Sequence, residues 1–533
     1  MKKRSAFSIF KYVLLLYLSL TVAYPILRLF AGIRGKHILS VLTAQQFLPM
    51  LRHSVVTTLL ATLISVMLAF LLAFSLCRSR VRFKSVWVVL FTVPMLIPSI
   101  SHGMGLVLLL GDNGLLTNLL HFNIGLYGYP GIVMGSVLYS FPVAFLLFYD
   151  SFQYEDFTIY ESARVLGLSQ GRQFLTITLP NMKRAVVSAV LSVFTMVFTD
   201  YGVPLMTGGT VMTLPVYMYR EVIGMMNFEN GAVVGVILLL PAVICFILDL
   251  KKSSGTSMST TVSKPYEIEK NRGRDLLVYV FFGIALLLLC LPILAFIMLS
   301  FVKQYPIDMH FTLDNVKKLL SGGVGMYLLN SLAIALMTAM VGTCLSYFSA
   351  YVTARSGRSL PNQLLHFISM LSLAIPGVVL GLSYVTAFHS LPIYSTIFIL
   401  IIVNIVHFYS SPYLLAYNSL TKFNSNLEDV AKTLKISRMR MLFAVYVPST
   451  IPTIIEMYSY FFVNAMITIS AVSFLVNFRT TTLALMIPQL ESQSFIEGTA
   501  LVSLMILCLN LLEKGIAFFV KRYALRQENA AEK

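Results

Sequence analysis

The sequence predicts an all-α integral membrane protein with about twelve transmembrane helices, built as two six-helix parallel repeats. The chain is 57% hydrophobic and only 11% charged, whereas soluble proteins carry about 25% charged residues. Because so apolar a chain cannot bury its side chains in a water-soluble core, lipid must be the solvent for much of it. Twelve long apolar stretches and a likeness between the two halves complete the prediction.

Each predicted span is a run of about 20 mostly apolar residues, the length that crosses a bilayer as a helix. In the first half the runs are 11–31, 54–76, 86–110, 131–150, 184–205 and 231–249. In the second half they are 275–301, 328–353, 363–388, 394–417, 453–476 and 498–520. The basic, apolar N-terminus also fits a cleaved signal peptide, but its length and the lack of a convincing cleavage site favour an uncleaved span.

Basic residues predict the orientation, because Lys and Arg are retained on the cytoplasmic side of a bilayer. With both termini cytoplasmic, about three-quarters of the 39 Lys and Arg residues fall in inner segments. The net charge of +17 therefore indicates topology, and no nucleic-acid partner is expected. We expect a multi-pass protein of a bacterial plasma (inner) membrane. The five Cys and eight His lack ligand spacing, so no metal site is predicted.

The chain divides into a first half (1–249), a polar, Ser/Thr-rich segment (250–274) and a second half (275–533). The middle segment is predicted to be a flexible cytoplasmic linker. The halves match at equivalent positions, which predicts an internal repeat. The matched positions are His53-Ser54 with Asn330-Ser331, Ala73…Arg78-Ser79 with Ala350…Arg355-Ser356, Pro98…Gly103 with Pro376…Gly381, Thr199 with Thr468, and Leu214 with Leu483.

A long inner segment between the fourth and fifth spans, residues 156–180, has an ordered pattern; we call it the first loop. A helix is expected over 156–166, with Gly167 as its left-handed cap. Ser169 then caps a second short helix, which presents an apolar pair beside Arg172 and which Pro180 ends. The pattern is Glu161-Ser162-Ala163, three residues, Gly167, nine residues, Ile177-x-Leu179-Pro180, and the apolar pair is Phe174 and Leu175.

The second half carries a weaker copy at residues 424–448, the second loop. Lys435 stands where the first loop has glycine, and a side chain in a left-handed turn costs about 1 kcal/mol. A different turn is therefore expected there. The matching residues are Asp429-Val430-Ala431, Ser437 as cap, Leu442 and Phe443 near Arg438 and Arg440, and Val445-x-Val447-Pro448.

The first loop resembles, position for position, the EAA loop (EAA-x3-G-x9-I-x-LP) of permease subunits of binding-protein-dependent ABC importers. The resemblance implies a type I importer permease with both halves fused, similar to permeases for ferric iron, thiamine, polyamines or 2-aminoethylphosphonate. It also implies that both loops form coupling helices that seat in clefts of ATPase subunits. The residues so implied are Glu161, Ala163, Gly167, Phe174, Leu175 and Pro180, with Asp429, Ala431, Leu442, Phe443 and Pro448.

By the same resemblance the partners are two copies of an ABC ATPase, which bind ATP and Mg, and an extracytoplasmic solute-binding protein. The chain itself has no GxxxxGK[ST] phosphate loop and no catalytic constellation, so we expect a non-catalytic subunit without a cofactor. A competing interpretation of either loop is a plain interfacial helix that only anchors the chain.

Polar residues inside the predicted spans mark a candidate pathway. Asp200 and Tyr201 lie deep in the fifth span, and the Gly and Pro that follow favour a broken helix lining a cavity. The equivalent second-half segment contributes Asn464, Thr468 and Ser470. Alternatively, Asp200 sits in interfacial water.

The sequence favours an importer of a small polar solute, with a lean toward ferric iron or a small organophosphonate. Ferric iron prefers oxygen ligands, which Asp200 and Tyr201 carry. The alternative is a proton-driven transporter of the major facilitator type, but the expected GxxxDRxGRR pattern is missing and buried acids are scarce. A membrane enzyme would need clustered polar or metal-binding residues, and none stands out.

Overall fold

The computed structural model describes residues 6–253, 264, 266–357, 359–424 and 426–531, and these are almost entirely helical. Within them, nine helices are long and apolar enough to cross a membrane, and three bent pairs of helices pass the same test together. Counting each pair as one span gives up to twelve, so the predicted all-α membrane fold is confirmed. Helices form here because backbone groups that face lipid must find their hydrogen-bond partners within the segment.

The nine single spans are Phe7–Ala31, Phe47–Arg78, Ser99–Leu120, Tyr129–Gln153, Gln170–Phe198, Phe228–Leu248, Arg272–Ser300, Val324–Arg355 and Ile496–Arg526. The bent pairs are Leu360–Ala374 with Gly377–Phe388 (114°), Ile397–His407 with Ser410–Thr421 (51°), and Arg438–Ser449 with Ile451–Ile467 (82°). Shorter helices are Gly35–Leu42, Lys84–Thr92, Thr158–Val165, Gly202–Thr207, Leu214–Tyr219, Asp314–Ser321, Asn426–Thr433 and Leu483–Ser492. Two short strands, Val302–Gln304 and Asp308–Phe311, pair in one sheet.

Two predicted spans end earlier than expected. The fifth stops at Phe198 instead of 205, and the eleventh stops at Ile467 instead of 476. The chain is non-helical just after each end, at the matched residues Thr199 and Thr468. The break that Gly and Pro predicted near Asp200 is therefore confirmed, and the second half has one at the same place.

The structure separates into two compact units, which do not follow the sequence halves. The first unit comprises the described residues of 44–217 and 240–309. Its core packs Phe141, Phe145 and Phe148 among the helices Phe47–Arg78, Tyr129–Gln153 and Leu179–Phe198. The span Arg272–Ser300 of the second half also belongs to it, because Phe282 packs on Trp87 with ring centroids 5.1 Å apart.

The second unit comprises the described residues of 1–43, 218–239 and 310–533. Here the span Phe7–Ala31, the first in the chain, packs with the second half. The Phe7 and Phe348 rings lie 6.2 Å apart, and the Tyr384 hydroxyl donates to the Thr21 carbonyl at 2.7 Å. The first span of each sequence half thus packs in the unit formed mainly by the other half.

The predicted internal repeat is visible as an equivalent hydrogen bond in each half. In the first unit the Leu214 amide donates to Ser54 Oγ at 2.8 Å, and in the second unit the Leu483 amide donates to Ser331 Oγ at 2.8 Å. Both serines are fully buried at the start of the second span of their half. Each one holds the segment that follows the broken span, so the two halves share their internal architecture as well as their sequence pattern.

Candidate functional site

The first loop contains the predicted helix and its left-handed cap. The helix runs from Thr158 to Val165, and Gly167 has φ +71°. The Leu168 amide donates to the Ala163 carbonyl at 3.0 Å, which is the six-residue closure typical of such caps. Ala163 is buried under this turn, so a small residue fits there.

The second loop makes the same turn, so the expectation of a different one is wrong. Its helix is Asn426–Thr433, Lys435 has φ +54°, and the Ile436 amide donates to the Ala431 carbonyl at 2.8 Å. The turn is closed by backbone bonds that any residue can make, and these offset the roughly 1 kcal/mol that a side chain costs in this conformation. Ala431 is buried, like Ala163.

The acidic residue that opens each pattern has a different partner in the two loops. Glu161 accepts from Lys264 Nζ at 2.5 Å, and this hydrogen bond raises the pKa of Lys264. Asp429 instead pairs at 2.7 Å with Lys432, its neighbour on the same helix, and both side chains are exposed. Lys264 lies in the predicted linker, so the first loop contacts that segment.

The second short helix of each loop does not end at its proline. Gln170–Gln173 continues through a π-helical turn, Phe174–Thr178, into the span Leu179–Phe198, so the prediction that Pro180 ends it is wrong. Pro180 lacks an amide hydrogen and its ring crowds the carbonyl four residues before, and the wider π turn relieves that conflict. Pro448 likewise follows a π turn, Leu442–Tyr446, but there the chain then bends by 82° at Thr450.

Capping by serine differs between the loops. Ser437 accepts from the Arg440 amide at 3.3 Å, as predicted. Ser169 occupies the equivalent position, but its side chain makes no capping hydrogen bond.

Only one member of each apolar pair is exposed. Leu175 and Phe443 are 63% and 64% exposed, whereas Leu442 is 2% exposed. Phe174 is half-buried, with its ring 5.6 Å from that of Phe74 on the neighbouring span. The prediction that both members are presented is therefore wrong for Leu442 and only partly right for Phe174. These two residues anchor their helices to the protein.

Exposed side chains of the preceding helix and turn enlarge the apolar surface of each loop. Val165 and Leu166 are almost fully exposed in the first loop, and Val430 and Leu434 are exposed in the second. The sequence pattern did not single these out, because it counts positions without showing which side of a short helix faces solvent. Together with Leu175 or Phe443 they form what we call the apolar patch of each loop.

A buried arginine fastens each loop to the end of a span. Arg78, the last residue of Phe47–Arg78, forms an ion pair with Glu155, and their side chains are 8% and 4% exposed. Arg78 also donates to the Tyr160 hydroxyl at 3.1 Å, and that hydroxyl lies 2.8 Å from Thr178 Oγ1. Burial, and the hydrogen bond that Tyr160 donates to Glu155, raise the pKa of Tyr160.

Arg355 repeats this arrangement at the end of Val324–Arg355. It pairs with Glu428 at 2.5 Å and donates to the Tyr446 hydroxyl at 3.2 Å. Its Nη1 donates to the Phe423 carbonyl (2.8 Å), and Nη2, which pairs with Glu428, also donates to the Asn424 carbonyl (2.9 Å). We call each of these groups an arginine clasp. In the sequence only the matched positions of Arg78 and Arg355 pointed to the clasps, because their acidic partners lie more than 70 residues away.

The candidate pathway residues of the first unit lie at the break after the fifth span. Asp200 accepts from Ser99 Oγ at 2.6 Å and from the amides of Gly202 (3.3 Å) and Val203 (3.0 Å), so it caps the helix Gly202–Thr207. Tyr201 beside it is buried. This carboxylate therefore has a structural task, whatever its part in transport.

A small polar cavity borders Asp200, with room for about one water molecule. Among its lining residues, Ser136 and Thr213 have buried hydroxyls that find no partner in the described part of the chain. Across the described residues no group of three or more His, Cys, Asp or Glu is placed to hold a metal ion.

The second-unit candidates lie at the equivalent break. Asn464 Nδ2 donates to the Tyr460 carbonyl at 2.8 Å, and the Thr468 amide donates to the Asn464 carbonyl at 3.0 Å, where the helix ends. Ser470 follows and lies so close to Gly377 that a Cβ there would sit 2.1 Å from Ser470 Oγ. The structure thus brings these three residues to one helix end.

Replacing Gly167 by valine is expected to destabilise the first loop by about 1–2 kcal/mol, because a β-branched side chain is strained at φ +71°. Replacing Lys435 by glycine should stabilise the second loop by up to about 1 kcal/mol, because the same strain is relieved. Hydrogen exchange of the loop amides measures both effects. The control is Gly171→Val, at a helical position with open space around it, and equal effects of Gly167→Val and Gly171→Val would contradict the cap assignment.

Comparison with known proteins finds the same family in each half of the chain. The family model "Binding-protein-dependent transport system inner membrane component" matches residues 61–250 and again residues 342–522, one match in each half. The ferric transport system permease protein FbpB of Actinobacillus pleuropneumoniae is 25% identical over 423 residues, covering 75% of this chain and 61% of the relative. The putative ferric transport system permease protein FbpB 1 of Haemophilus influenzae is 26% identical over 404 residues, covering 73% and 64%.

A shorter relative matches one part of the chain: the spermidine/putrescine transport system permease protein PotC homolog of Mycoplasma pneumoniae is 30% identical over 156 residues, covering 28% of this chain and 50% of the relative. The chain spans less than two thirds of the length of the two ferric permeases. The family model, however, covers well over half of the chain in two copies. This chain therefore belongs to the binding-protein-dependent transport system inner membrane component family, with the family's domain in each half.

Proposed function

We propose that the chain is the membrane-spanning subunit of an ATP-driven importer and forms the pathway for a small polar solute delivered by an external binding protein. The observation that carries this proposal is the pair of surface loops. Each has a capped short helix, a π turn before proline, an apolar patch and an arginine clasp, and each stands at the same place in its half. A loop that merely anchored the chain at the interface would not need this construction twice.

Two loops of the same construction fit two copies of one ATPase subunit. The exposed apolar patches, with Arg172 in the first loop and Arg438 and Arg440 in the second, suit an apolar cleft with an acidic rim. ATP and Mg belong to that partner, and this chain contributes motion without chemistry. Closure of the two ATPases would move the loops, and the arginine clasps would carry that motion into the spans Phe47–Arg78 and Val324–Arg355.

For the solute we favour ferric iron, with a small organophosphonate as the second candidate. Two relatives that cover most of this chain carry a ferric transport name. The polar break in each half offers carboxylate and hydroxyl oxygens, namely those of Asp200, Thr468 and Ser470, and hard cations prefer such ligands. Here iron is cargo, so weak and transient contacts suffice.

The test is uptake into proteoliposomes that contain this chain together with its partner ATPase and solute-binding protein. We expect uptake of radiolabelled ferric iron that requires ATP and continues after a protonophore collapses the proton gradient. Uptake driven by a proton gradient without ATP would overturn the importer class. ATP-driven uptake of 2-aminoethylphosphonate, with iron excluded, would keep the class and change the solute.

Placing a charge in an apolar patch should release the ATPase. Phe443→Asp and Leu175→Asp each remove an exposed apolar contact and put an acid where an acidic rim is expected. We expect a loss of about 2 kcal/mol or more in ATPase binding for each variant, measured by co-purification at graded salt concentrations. Phe478→Asp is the matched control, because Phe478 is at least as exposed as Leu175 and Phe443 but lies in a predicted external segment. Retention of the ATPase by both loop variants would contradict the docking role.

A further inference from the structure

The end of the predicted linker is not free but lies along the first loop. The Phe157 amide donates to the Lys264 carbonyl at 3.0 Å, and the Lys264 amide donates to Asp156 Oδ1 at 3.3 Å. Residues 264 and 266–271, which we call the linker strap, therefore make specific contacts that were not expected of a flexible linker. Residues 254–263 and 265 lie outside the described part of the chain.

Two ion pairs join the linker strap to the helix Thr158–Val165. Lys264 Nζ lies 2.5 Å from Glu161, and Glu269 lies 2.7 Å from Arg164 Nη1. These pairs are partly exposed, so each adds little by itself. They place two strap residues beside Glu161 and Arg164, which lie just before and just after Ala163 in the loop's pattern.

Tyr266 is the central contact. Its ring packs edge-to-face on Phe157 and Tyr160, with centroids 4.9 Å and 5.2 Å away. The guanidinium carbon of Arg78 lies 3.3 Å from the centroid of the same ring. Arg78 Nη1 has no hydrogen-bond partner within the described residues, and the aromatic face covers the guanidinium.

The strap also reaches the end of the neighbouring span. Arg80 Nε donates to the Ile268 carbonyl at 2.8 Å, and the Arg80 amide donates to Asp275 Oδ1 at 3.2 Å, at the beginning of Arg272–Ser300. The strap therefore connects three elements of the first unit: the end of Phe47–Arg78, the first loop and the start of the next span.

The second loop is built without such a strap in the described part of the chain. Its arginine clasp is covered by Tyr446, a residue of the loop itself, at 5.3 Å from the Arg355 guanidinium. Asp429 pairs within its own helix. In the first half the loop residue Tyr160 likewise lies over the Arg78 guanidinium, at 4.8 Å. A tyrosine of the loop thus covers the arginine in both halves, and within the described residues Tyr266 adds a further ring from the linker in the first half.

We propose that the linker strap positions the first coupling loop, with Tyr266 as the positioning residue that holds the loop to the end of Phe47–Arg78. This inference rests on the proposed function, because it makes the connection between the halves part of the transmission from ATPase to pathway. The strap acts through Arg78 and Glu161 and touches neither nucleotide nor solute. Loss of the strap should let the first loop move without moving the span Phe47–Arg78.

The test compares Tyr266→Ala with Tyr266→Phe in the full chain. In lipid nanodiscs without any partner, Tyr266→Ala should speed hydrogen exchange of the 158–168 amides by about tenfold, while Tyr266→Phe, which keeps the ring, should match wild type. In the reconstituted importer, Tyr266→Ala should raise the ATP hydrolysed per solute imported by at least about threefold, and Tyr266→Phe should restore the wild-type ratio.

The two readouts separate the failure of this inference from failure of the proposed function. Unchanged exchange in Tyr266→Ala, or an unchanged ATP-to-solute ratio in a working importer, would overturn the positioning role. If Tyr266→Ala exchanges faster but the wild-type complex shows no ATP-driven uptake, the proposed function is overturned and, with it, the coupling role of the strap. If Tyr266→Ala is poorly expressed, Tyr266→Leu keeps bulk but removes the aromatic face, and it is expected to change both readouts in the same directions.

Discussion

Replacing Arg355 by methionine is expected to detach the second loop from its span and abolish ATP-driven uptake. Arg355 is 6% exposed and is the donor that holds Glu428, Tyr446 and the carbonyls of Phe423 and Asn424 together. Removing one partner of a fully buried ion pair costs about 3–5 kcal/mol. Because Glu428 is 20% exposed and keeps the hydrogen bond from Tyr446, we expect the lower end of that range. Hydrogen exchange of the helix Asn426–Thr433 should rise steeply, and proteoliposome uptake should fall to background.

Two further variants test whether the loss of stability in Arg355→Met comes from the buried charge. Lys432→Met breaks the exposed pair with Asp429 on the same helix, and it should cost less than about 0.5 kcal/mol. Arg355→Met combined with Glu428→Met replaces both charges by apolar groups, so part of the lost stability should return. If Arg355→Met behaved like Lys432→Met in exchange and in uptake, the clasp would not hold the loop.

The clasps fasten each loop to a span of the same unit. In both halves the arginine is the last residue of the second span, and its acidic partner lies close to the start of the loop. The acid comes from different positions, Glu155 before the helix in the first half and Glu428 inside the helix in the second. The same junction has thus been built from different residues, which suggests that the connection itself matters more than the particular side chain.

Features that depend on local chemistry could be predicted from the sequence. Apolar runs of span length located most membrane helices, since in lipid the length of an apolar run decides where a helix forms. The run 86–110 is instead divided between a short helix, Lys84–Leu96, and the span Ser99–Leu120. Gly167 indicated the left-handed cap because glycine adopts that conformation without strain. The Gly and Pro residues after Asp200 indicated the broken span, because these residue types disfavour a regular helix through their own backbone chemistry.

Features that depend on packing could not be predicted. Leu442 and Phe443 are adjacent and both apolar, and only the packed structure shows that one is buried and the other exposed. Lys435 adopts the left-handed conformation that glycine prefers, because the backbone hydrogen bonds that close the turn outweigh a strain of about 1 kcal/mol. The linker strap has the polar composition of a flexible segment. Its contacts come from Tyr266 and from ion pairs with residues more than 100 positions away in sequence.

Replacing Gly381 by alanine is expected to disturb the polar break of the second unit and lower uptake by at least about tenfold, since overpacking a tight contact costs about 1–3 kcal/mol. A Cβ at Gly381 would lie 2.7 Å from the Ala471 carbonyl oxygen and 3.0 Å from Phe474 Cδ2. The carbonyl belongs to the segment that carries Ser470, and a backbone oxygen cannot swing aside as the end of a side chain can. The added methyl group should therefore push this segment away from the helix Gly377–Phe388.

Gly515→Ala is the matched control, because Gly515 lies in a span of the same unit with no atom near its added Cβ. It should leave uptake unchanged and stabilise its helix slightly. Gly103 is the repeat partner of Gly381, and Gly103→Ala should also lower uptake, because its Cβ would lie 2.8 Å from Met206 Cβ and 3.1 Å from the Val203 carbonyl. Binding of the ATPase should survive in both glycine variants, since neither position is in a loop. Wild-type uptake by Gly381→Ala would show that the break tolerates displacement, and the pathway would then have to be sought away from Thr468 and Ser470.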